Sequence, residues 1–260
     1  MNEPTIFLTF DVEEFDLPLE YGKPISIQKQ IEVGYKGLQA ITPLLNESFI
    51  ESTLFTTANF AQHFPNEIKM LSEKHEIASH CFYHSTFENK DLLLSREKLE
   101  SITNKKVIGL RMPRLRKTEM SELLKAGYKY DSSINPTLIP GRYNNLKISK
   151  TIYNDEGMLR VPATVTPNFR IPLFWISFKN LPFNLYQKMA LQCLKKYGYI
   201  NLYFHPWEFT DIGCYHQIPS YIKKPSGEIL LNKLHKLINV LKQEAEFSSI
   251  ENYLLKQQLI

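Results

Sequence analysis

Four short stretches carry side chains suited to hydrolytic chemistry: TFDVEEF at 9–15, SHCFYH at 79–84, RMP at 111–113 and YFHPWEF at 203–209. Together they offer a carboxylate pair at the end of an apolar run, two histidines four residues apart, an arginine and a further histidine. A metal-assisted amide hydrolase needs such a set: nitrogen and oxygen ligands, a base, a cation to keep the base ionised, and an acid for the leaving group.

Each part also has a plainer reading. Asp11 and Glu13 are two apart and project to the same side of an extended backbone, where they repel unless a cation or arginine lies between them. Equally, Asp11, Glu13, Glu14 and Asp16 could be a solvated acidic loop. His80 and His84 follow the strand-like EIAS. If that segment is helical, the spacing puts both imidazoles on one face, where they could bind Zn²⁺ or a similar ion with a carboxylate as third ligand. Arg111, with Pro113, ends the run VIGLR and can pair with Asp11, although a lone arginine at a strand end is usually a weak surface ion pair. His205 ends another apolar run, where Pro206 stops ladder pairing and Trp207 offers a flat wall. Its imidazole can give a proton to a departing amine, or it can simply sit in the core bonded to a carbonyl.

Apolar β-branched runs alternate with segments of helical period, the pattern of parallel strands joined by helices. Strands are expected at Ile6–Phe10, Thr53–Thr57, Glu76–Ser79, Val107–Arg111, Tyr128–Asp131, Leu159–Pro162 and Ile200–Phe204. Helices are expected at about 28–46, 66–74, 91–103, 117–126, 182–197 and 227–244. Met120, Leu123 and Leu124 followed by Gly127 describe a surface helix with a glycine cap. Leu230, Leu234, Leu237, Ile238 and Leu241 form one core stripe. The chemical stretches fall at the C-terminal ends of strands, where parallel α/β folds bind ligands. The irregular region 135–157, with Pro136, Pro140 and Gly141, is expected to be a long loop or inserted hairpin.

The 260 residues suit one α/β domain, and no composition break marks a linker. Hydrophobic residues make up 43% and charged residues 22%, with a mean hydropathy of −0.27, enough for a substantial core. The net charge of +4 is spread along the chain without a basic run, so no nucleic-acid partner is expected. Cys81, Cys193 and Cys214 are odd in number and far apart, which argues for a reducing compartment rather than disulfides. The N-terminus lacks a basic signal-peptide region, and no stretch is long and apolar enough to span a membrane. A cytoplasmic protein is expected. The run IPLFWISF at 171–178 is read as interior, with a greasy surface near a lipid-linked substrate, and so a membrane-peripheral protein, as the alternative.

In order and spacing, these motifs resemble the polysaccharide deacetylase superfamily (NodB homology, carbohydrate esterase family 4) over about residues 5–210. The likeness extends to the branch that ends in FHPWE after an R-x-x-P-F-type segment, matched by Phe169–Leu185 and Tyr203–Glu208 and associated with exopolysaccharide synthesis. The resemblance implies a distorted (β/α) barrel of about seven parallel strands with a divalent metal at its rim, zinc first, cobalt or nickel as alternatives. It implies Asp11 as base, His80 and His84 as metal ligands, Arg111 as tether of the base and His205 as acid, with Asp131 of the DSS at 131–133 orienting that acid. Val12 departs from the adjacent aspartates of the commonest first motif, and Glu13 then becomes the third ligand, as in branches with an acid two residues after the base. Cys81 stands where serine or threonine is usual and is read as packing.

The function expected from this resemblance is metal-dependent removal of N-acetyl groups from amino sugars, acting on a C–N bond outside peptides. The substrate would be an N-acetylated glycan or lipid-linked sugar, with Tyr83, Pro113 and Trp207 as candidate contacts. A catalytically inactive carbohydrate-binding or scaffolding protein on the same fold is the rival. Serine-hydrolase chemistry lacks its G-x-S-x-G. Sugar, acyl group and oligomeric state are left open.

Overall fold

Parallel strands buried on both faces lose the simple apolar and polar alternation, and the first strand does so at all eight positions. The computed structural model describes residues 3–260. Its strands are β1 (Thr5–Val12), β2 (Ser52–Thr56), β3 (Glu76–Ser79), β4 (Gly109–Leu110), β5 (Tyr130–Asp131), β6 (Leu138–Ile139), β7 (Tyr143–Asn144), β8 (Tyr153–Asp155), β9 (Met158–Arg160), β10 (Tyr199–Phe204) and β11 (Glu246–Phe247). The main sheet runs β10-β1-β2-β3-β4-β5-β9 with every neighbouring pair parallel, β8 antiparallel on the edge and β11 beside β1. It is a parallel-rich α/β sheet curled into a half-barrel, as expected. The open side is drawn together by Thr164 N–H donating to Asn201 O at 3.0 Å and Asn201 N–H donating to Thr164 Oγ1 at 2.7 Å.

The helices are α1 (Leu17–Glu20), α2 (Ile27–Leu45), α3 (Ala58–His63), α4 (Pro65–Ser72), α5 (Lys90–Thr103), α6 (Met120–Lys125), α7 (Trp175–Asn180), α8 (Phe183–Tyr197), α9 (Ser220–Lys223), α10 (Gly227–Leu241) and α11 (Ile250–Lys256). Of these, α2, α4, α5, α6, α8 and α10 match the six expected helices. The α10 leucine stripe is buried as its spacing requires. The shorter α3 and α11 have no long period to reveal them and are set instead by caps: Thr57 accepts from Phe60 N–H, and Ser249 from Asn252 N–H. Part of the irregular stretch forms a hairpin, β6 against β7.

Period two sorts the strand residues. On β1, Ile6, Leu8, Phe10 and Val12 join the core beneath the helices, with Ile200, Leu202 and Phe204 of β10 beside them. The opposite positions, Phe7, Phe55, Ala78, Tyr130 and Tyr199, fill the lower interior, where Ile250 and Leu254 of α11 plug the end. Continuing upward on that inner face are Thr9 and Asp11 on β1 and Asn201 and Tyr203 on β10, with His205 just past the end of that strand. The upper interior is therefore polar by register.

Candidate active site

Arg111 is the largest fully buried side chain, at 0% exposure, and its partners explain how a guanidinium can sit there. It donates to Asp11 Oδ1 at 2.6 Å, Thr9 Oγ1 at 3.0 Å, Ser132 O at 3.3 Å and Ser132 Oγ at 3.1 Å. The Phe55 and Tyr203 rings flank it, with centroids 4.0 and 4.9 Å from the guanidinium carbon. One oxygen of Asp11 is thus held. The other, Oδ2, faces His205 Nε2 at 3.9 Å.

Beside this pair, Glu13 Oε2 lies 3.0 Å from His80 Nε2 and 3.1 Å from His84 Nε2. The three ligand atoms lie within 4.8 Å of one another, and all three residues are buried. Among the described residues, Glu13 Oε2 and both ring nitrogens of His80 have no hydrogen-bond partner beyond these ion-pair contacts. Bare lone pairs converging in a dry site need a proton or a cation between them. One carboxylate oxygen and two imidazole nitrogens suit a divalent ion such as zinc. The residues therefore fit a metal.

The pair is not presented by a helix, so the helical case considered for this spacing does not apply. Residues 80–84 form a turn in which Cys81 takes a left-handed φ of 63°, and the two imidazoles stack with centroids 5.6 Å apart. Cys81 itself is buried in the core, where burial pushes its thiol up to about 12, so it serves packing. Val12 points into the core under the helices.

Around these residues stand groups that motif reasoning passed over. Trp207, expected as a wall, also donates its indole N–H to Glu13 Oε1 at 2.9 Å, leaving Oε2 for the imidazoles. Asp16 Oδ1 lies 2.8 Å from His84 Nδ1, while Arg114 at 2.8 Å and Ser85 at 2.7 Å donate to its Oδ2. A carboxylate on the far nitrogen fixes a ligand histidine's orientation and basicity. The backbones of Glu13 and Pro206 each rest on a glycine of α2: a Cβ on Gly34 would meet Glu13 O at 2.3 Å, and one on Gly37 would meet Pro206 O at 2.3 Å. The Gly-x-x-Gly spacing was the available signal.

Asp131 requires a correction. It was expected to orient His205, but its carboxylate is taken by Arg160 Nε at 2.9 Å and by the Ser133 hydroxyl. The carboxylate on His205 Nδ1 is Glu208 Oε1, at 3.1 Å, which also accepts the His205 backbone N–H at 2.8 Å. Lys179 of α7, fully buried, neutralises the other oxygen of Glu208 at 3.1 Å. Among the other expected contacts, Pro113 is buried in a short 3-10 turn and Tyr83 is exposed beside Phe82; neither lines the cleft. Trp207 does, with Tyr143, Phe174, Trp175 and Tyr203, in a cavity of about 380 Å³ that also exposes Asp11, Glu13, His80, His84 and His205.

The charges follow from these contacts. Burial raises the Glu13 pKa, but His84, His205 and the contact with His80 override it and hold the carboxyl well below its usual range. For His84, burial lowers the pKa while Glu13 and Asp16 lift it to about 9. His205 is likewise raised: burial opposes the proton, and Glu13, Glu208 and Asp11 favour it. The site thus sets Asp11, tethered by Arg111, opposite a histidine whose acidic neighbours favour its protonated form.

Residues 1–130 match the family model described as polysaccharide deacetylase. The chain belongs to that family. No curated protein matches it in sequence. Among solved structures it is similar to a protein from Mycobacterium smegmatis designated a polysaccharide deacetylase, at 17% identity and TM-score 0.63 over 97% of this chain and 92% of the other. A second, from Pseudomonas aeruginosa PAO1 and with the same designation, aligns at 16% identity and TM-score 0.62 over 94% and 86% of the two chains. An allantoinase, Puue, has the same fold at 16% identity and TM-score 0.61, again over 94% and 86%. At such identities the likeness extends to the fold of this polysaccharide deacetylase family member and no further.

Proposed function

We propose that this polysaccharide deacetylase family member is a metal-dependent hydrolase that removes N-acetyl groups from amino sugars of a glycan or its precursor, residues 3–260 acting as one catalytic unit. The observation that carries the reading is the convergence of Glu13, His80 and His84 beside an opposed Asp11 and His205. Glu13 Oε2, His80 Nε2 and His84 Nε2 would hold the ion, with zinc as the first choice. Bound there, a divalent cation supplies Lewis acidity, polarising a carbonyl and easing deprotonation of water.

The chain's own residues do the rest. Arg111 fixes Oδ1 of Asp11, so Oδ2 is the oxygen that takes the proton from the attacking water. As the C–N bond breaks, His205 Nε2 gives its proton to the departing amine, leaving acetate and a free amino sugar. Glu208 on Nδ1 keeps the reactive nitrogen turned toward the cleft, and the charge on Lys179 keeps Glu208 ionised: burial raises that carboxyl, and Lys179 and His205 pull it below its ordinary value. Aromatic walls at Trp175, Trp207 and Tyr203 offer faces for a pyranose ring. On its Phe204–Glu208 motif we assign the chain to the FHPWE branch of the family.

The test is acetate release from N-acetylated oligosaccharides by zinc-loaded protein. Asp11→Asn should lower turnover by roughly 10² or more with zinc content unchanged. Full activity in that variant, or none in the wild type, refutes the assignment.

A further inference from the structure

The surface next to the cleft has a second character. Phe169 is 83% exposed, more than any other large apolar side chain among the described residues, and Leu138, Leu146 and Ile171 are exposed as well. They sit on two loops that are stitched together. Arg170, at a left-handed φ of 51°, donates to Pro136 O at 2.8 Å and Ile148 O at 3.0 Å. Thr137 Oγ1 donates to Arg170 O at 2.7 Å, and Asn145 N–H to Thr137 O at 2.9 Å. Leu138 follows Thr137, which is bonded to Arg170 between Phe169 and Ile171, and Leu146 follows Asn145, which is bonded to Thr137, so the four apolar residues belong to one joined pair of loops. A phenylalanine held in water by such a scaffold is presented, not left over.

The charge carried by the two loops themselves has one sign. No aspartate or glutamate occurs between Asp131 and Asp155 or between Glu156 and Glu208, whereas Arg142, Lys147, Lys150 and Arg170 all fall on the two loops. Arg142 reaches Glu20 at 3.4 Å and Lys150 donates to Pro167 O; Lys147 is exposed. The same hairpin faces the cleft through Ile139, Pro140 and Tyr143, so whatever covers Leu138 lies at the cleft mouth.

We propose that the loops 136–150 and 165–171 dock on an anionic lipid surface, inserting Phe169 with Leu138, Leu146 and Ile171 while Lys147 and its basic neighbours meet the headgroups. Apolar tips ringed by cations match a negatively charged bilayer in both respects. A second copy of the chain would set like charges against each other across a symmetric contact. No described helix is long and apolar enough to cross a membrane, so the attachment is interfacial. The proposal stands apart from the reaction assigned to the cleft, and would place that cleft at the bilayer surface.

Co-sedimentation of the whole protein with vesicles of phosphatidylcholine, alone or mixed with phosphatidylglycerol, tests it. Binding should appear with the anionic vesicles, weaken as salt rises, and fall about tenfold or more in Phe169→Ser, a change at an exposed loop tip. Lys147→Glu should weaken it further, and soluble acetate release should be unaffected by either change. Absence of binding, equal binding to neutral vesicles, or undiminished binding of Phe169→Ser overturns the proposal. A Phe169-dependent dimer in analytical ultracentrifugation would overturn it too, by assigning the surface to a second copy.

Discussion

Among the buried glutamates of the half-barrel, Glu76 at one end and Glu13 at the other are opposites. Glu76, at the lower end, has both oxygens satisfied: Tyr130 OH donates to one at 2.6 Å, and Thr53 Oγ1 at 2.7 Å and Glu251 N–H at 3.0 Å donate to the other. No cationic side chain among the described residues is bonded to it, and burial pushes its carboxyl up to about 7. Glu13, at the upper rim, is bonded on one oxygen only and is ringed by histidines that hold it ionised. Burial alone therefore does not mark function. A buried acid surrounded by neutral donors is part of the packing, and one that turns an oxygen toward imidazoles has the geometry to hold a cation.

The sharpest way to break this comparison is to neutralise each acid in turn. Glu13→Gln or His80→Ala should lower Co²⁺ or Zn²⁺ affinity by more than the roughly 100-fold that loss of an outer partner can cost. Glu76→Gln should leave affinity unchanged, as read from Co²⁺ absorption titrations. Equal losses in the two glutamate variants would mean that the lower acid shapes the metal site and that the contrast drawn above is false.

The contrast was only half legible in the sequence. Period two places Asp11 on the inner face of β1, and strand ends locate Glu13, His80, Arg111 and His205 at one rim, because register follows from burial. What a strand end does not tell is which of two acids reaches a given imidazole. Asp131 sits on β5, but Arg160 claims it, while Glu208 is three residues from His205 on a tight turn and arrives by local geometry. The turn at 80–84 was hidden for a related reason: a spacing of four suggests a helix, and nothing in Cys81 announces a positive φ. Lys179 was concealed inside an apolar run, where a single lysine reads as surface until its partner is known.

A gentler perturbation sharpens the upper half of the comparison. Asp16→Asn keeps all three ligand residues but weakens the hold on His84 Nδ1. Metal affinity should fall by roughly 10–100-fold. Ser85→Ala, which removes one of the two donors to Asp16 Oδ2, should cost less. An Asp16→Asn protein with wild-type affinity would show that Glu13 alone orients the histidine.

The proton inventory gives the next effect in size. With its pKa lifted to about 9, His84 holds a proton at neutral pH, and a cation must displace it to use Nε2. Affinity should therefore rise with pH, by up to about tenfold per unit for one displaced proton, and level off near 9. Calorimetry in buffers of different ionisation enthalpy counts that proton directly. Binding without proton release would mean that His84 is already neutral and that Glu13 and Asp16 hold it less strongly than their contacts imply.

Glu76 should give the smallest signal, and one of opposite sign to that of Glu13. A carboxyl raised in the folded state contributes stability that is fully present below its unfolded value of 4.5 and is lost as pH rises through about 7. Glu13, depressed by its histidines, contributes stability that is present above 4.5 and is lost only as pH falls through its folded value. Wild-type Tm, followed without metal from mildly acidic to neutral pH, should therefore drop relative to Glu76→Gln, by on the order of a few degrees. The difference should vanish on the acid side, where Glu76 is protonated and resembles the amide. If the two curves stay parallel, Glu76 is ionised throughout, and a buried acid with only neutral donors has been stabilised by something other than its proton.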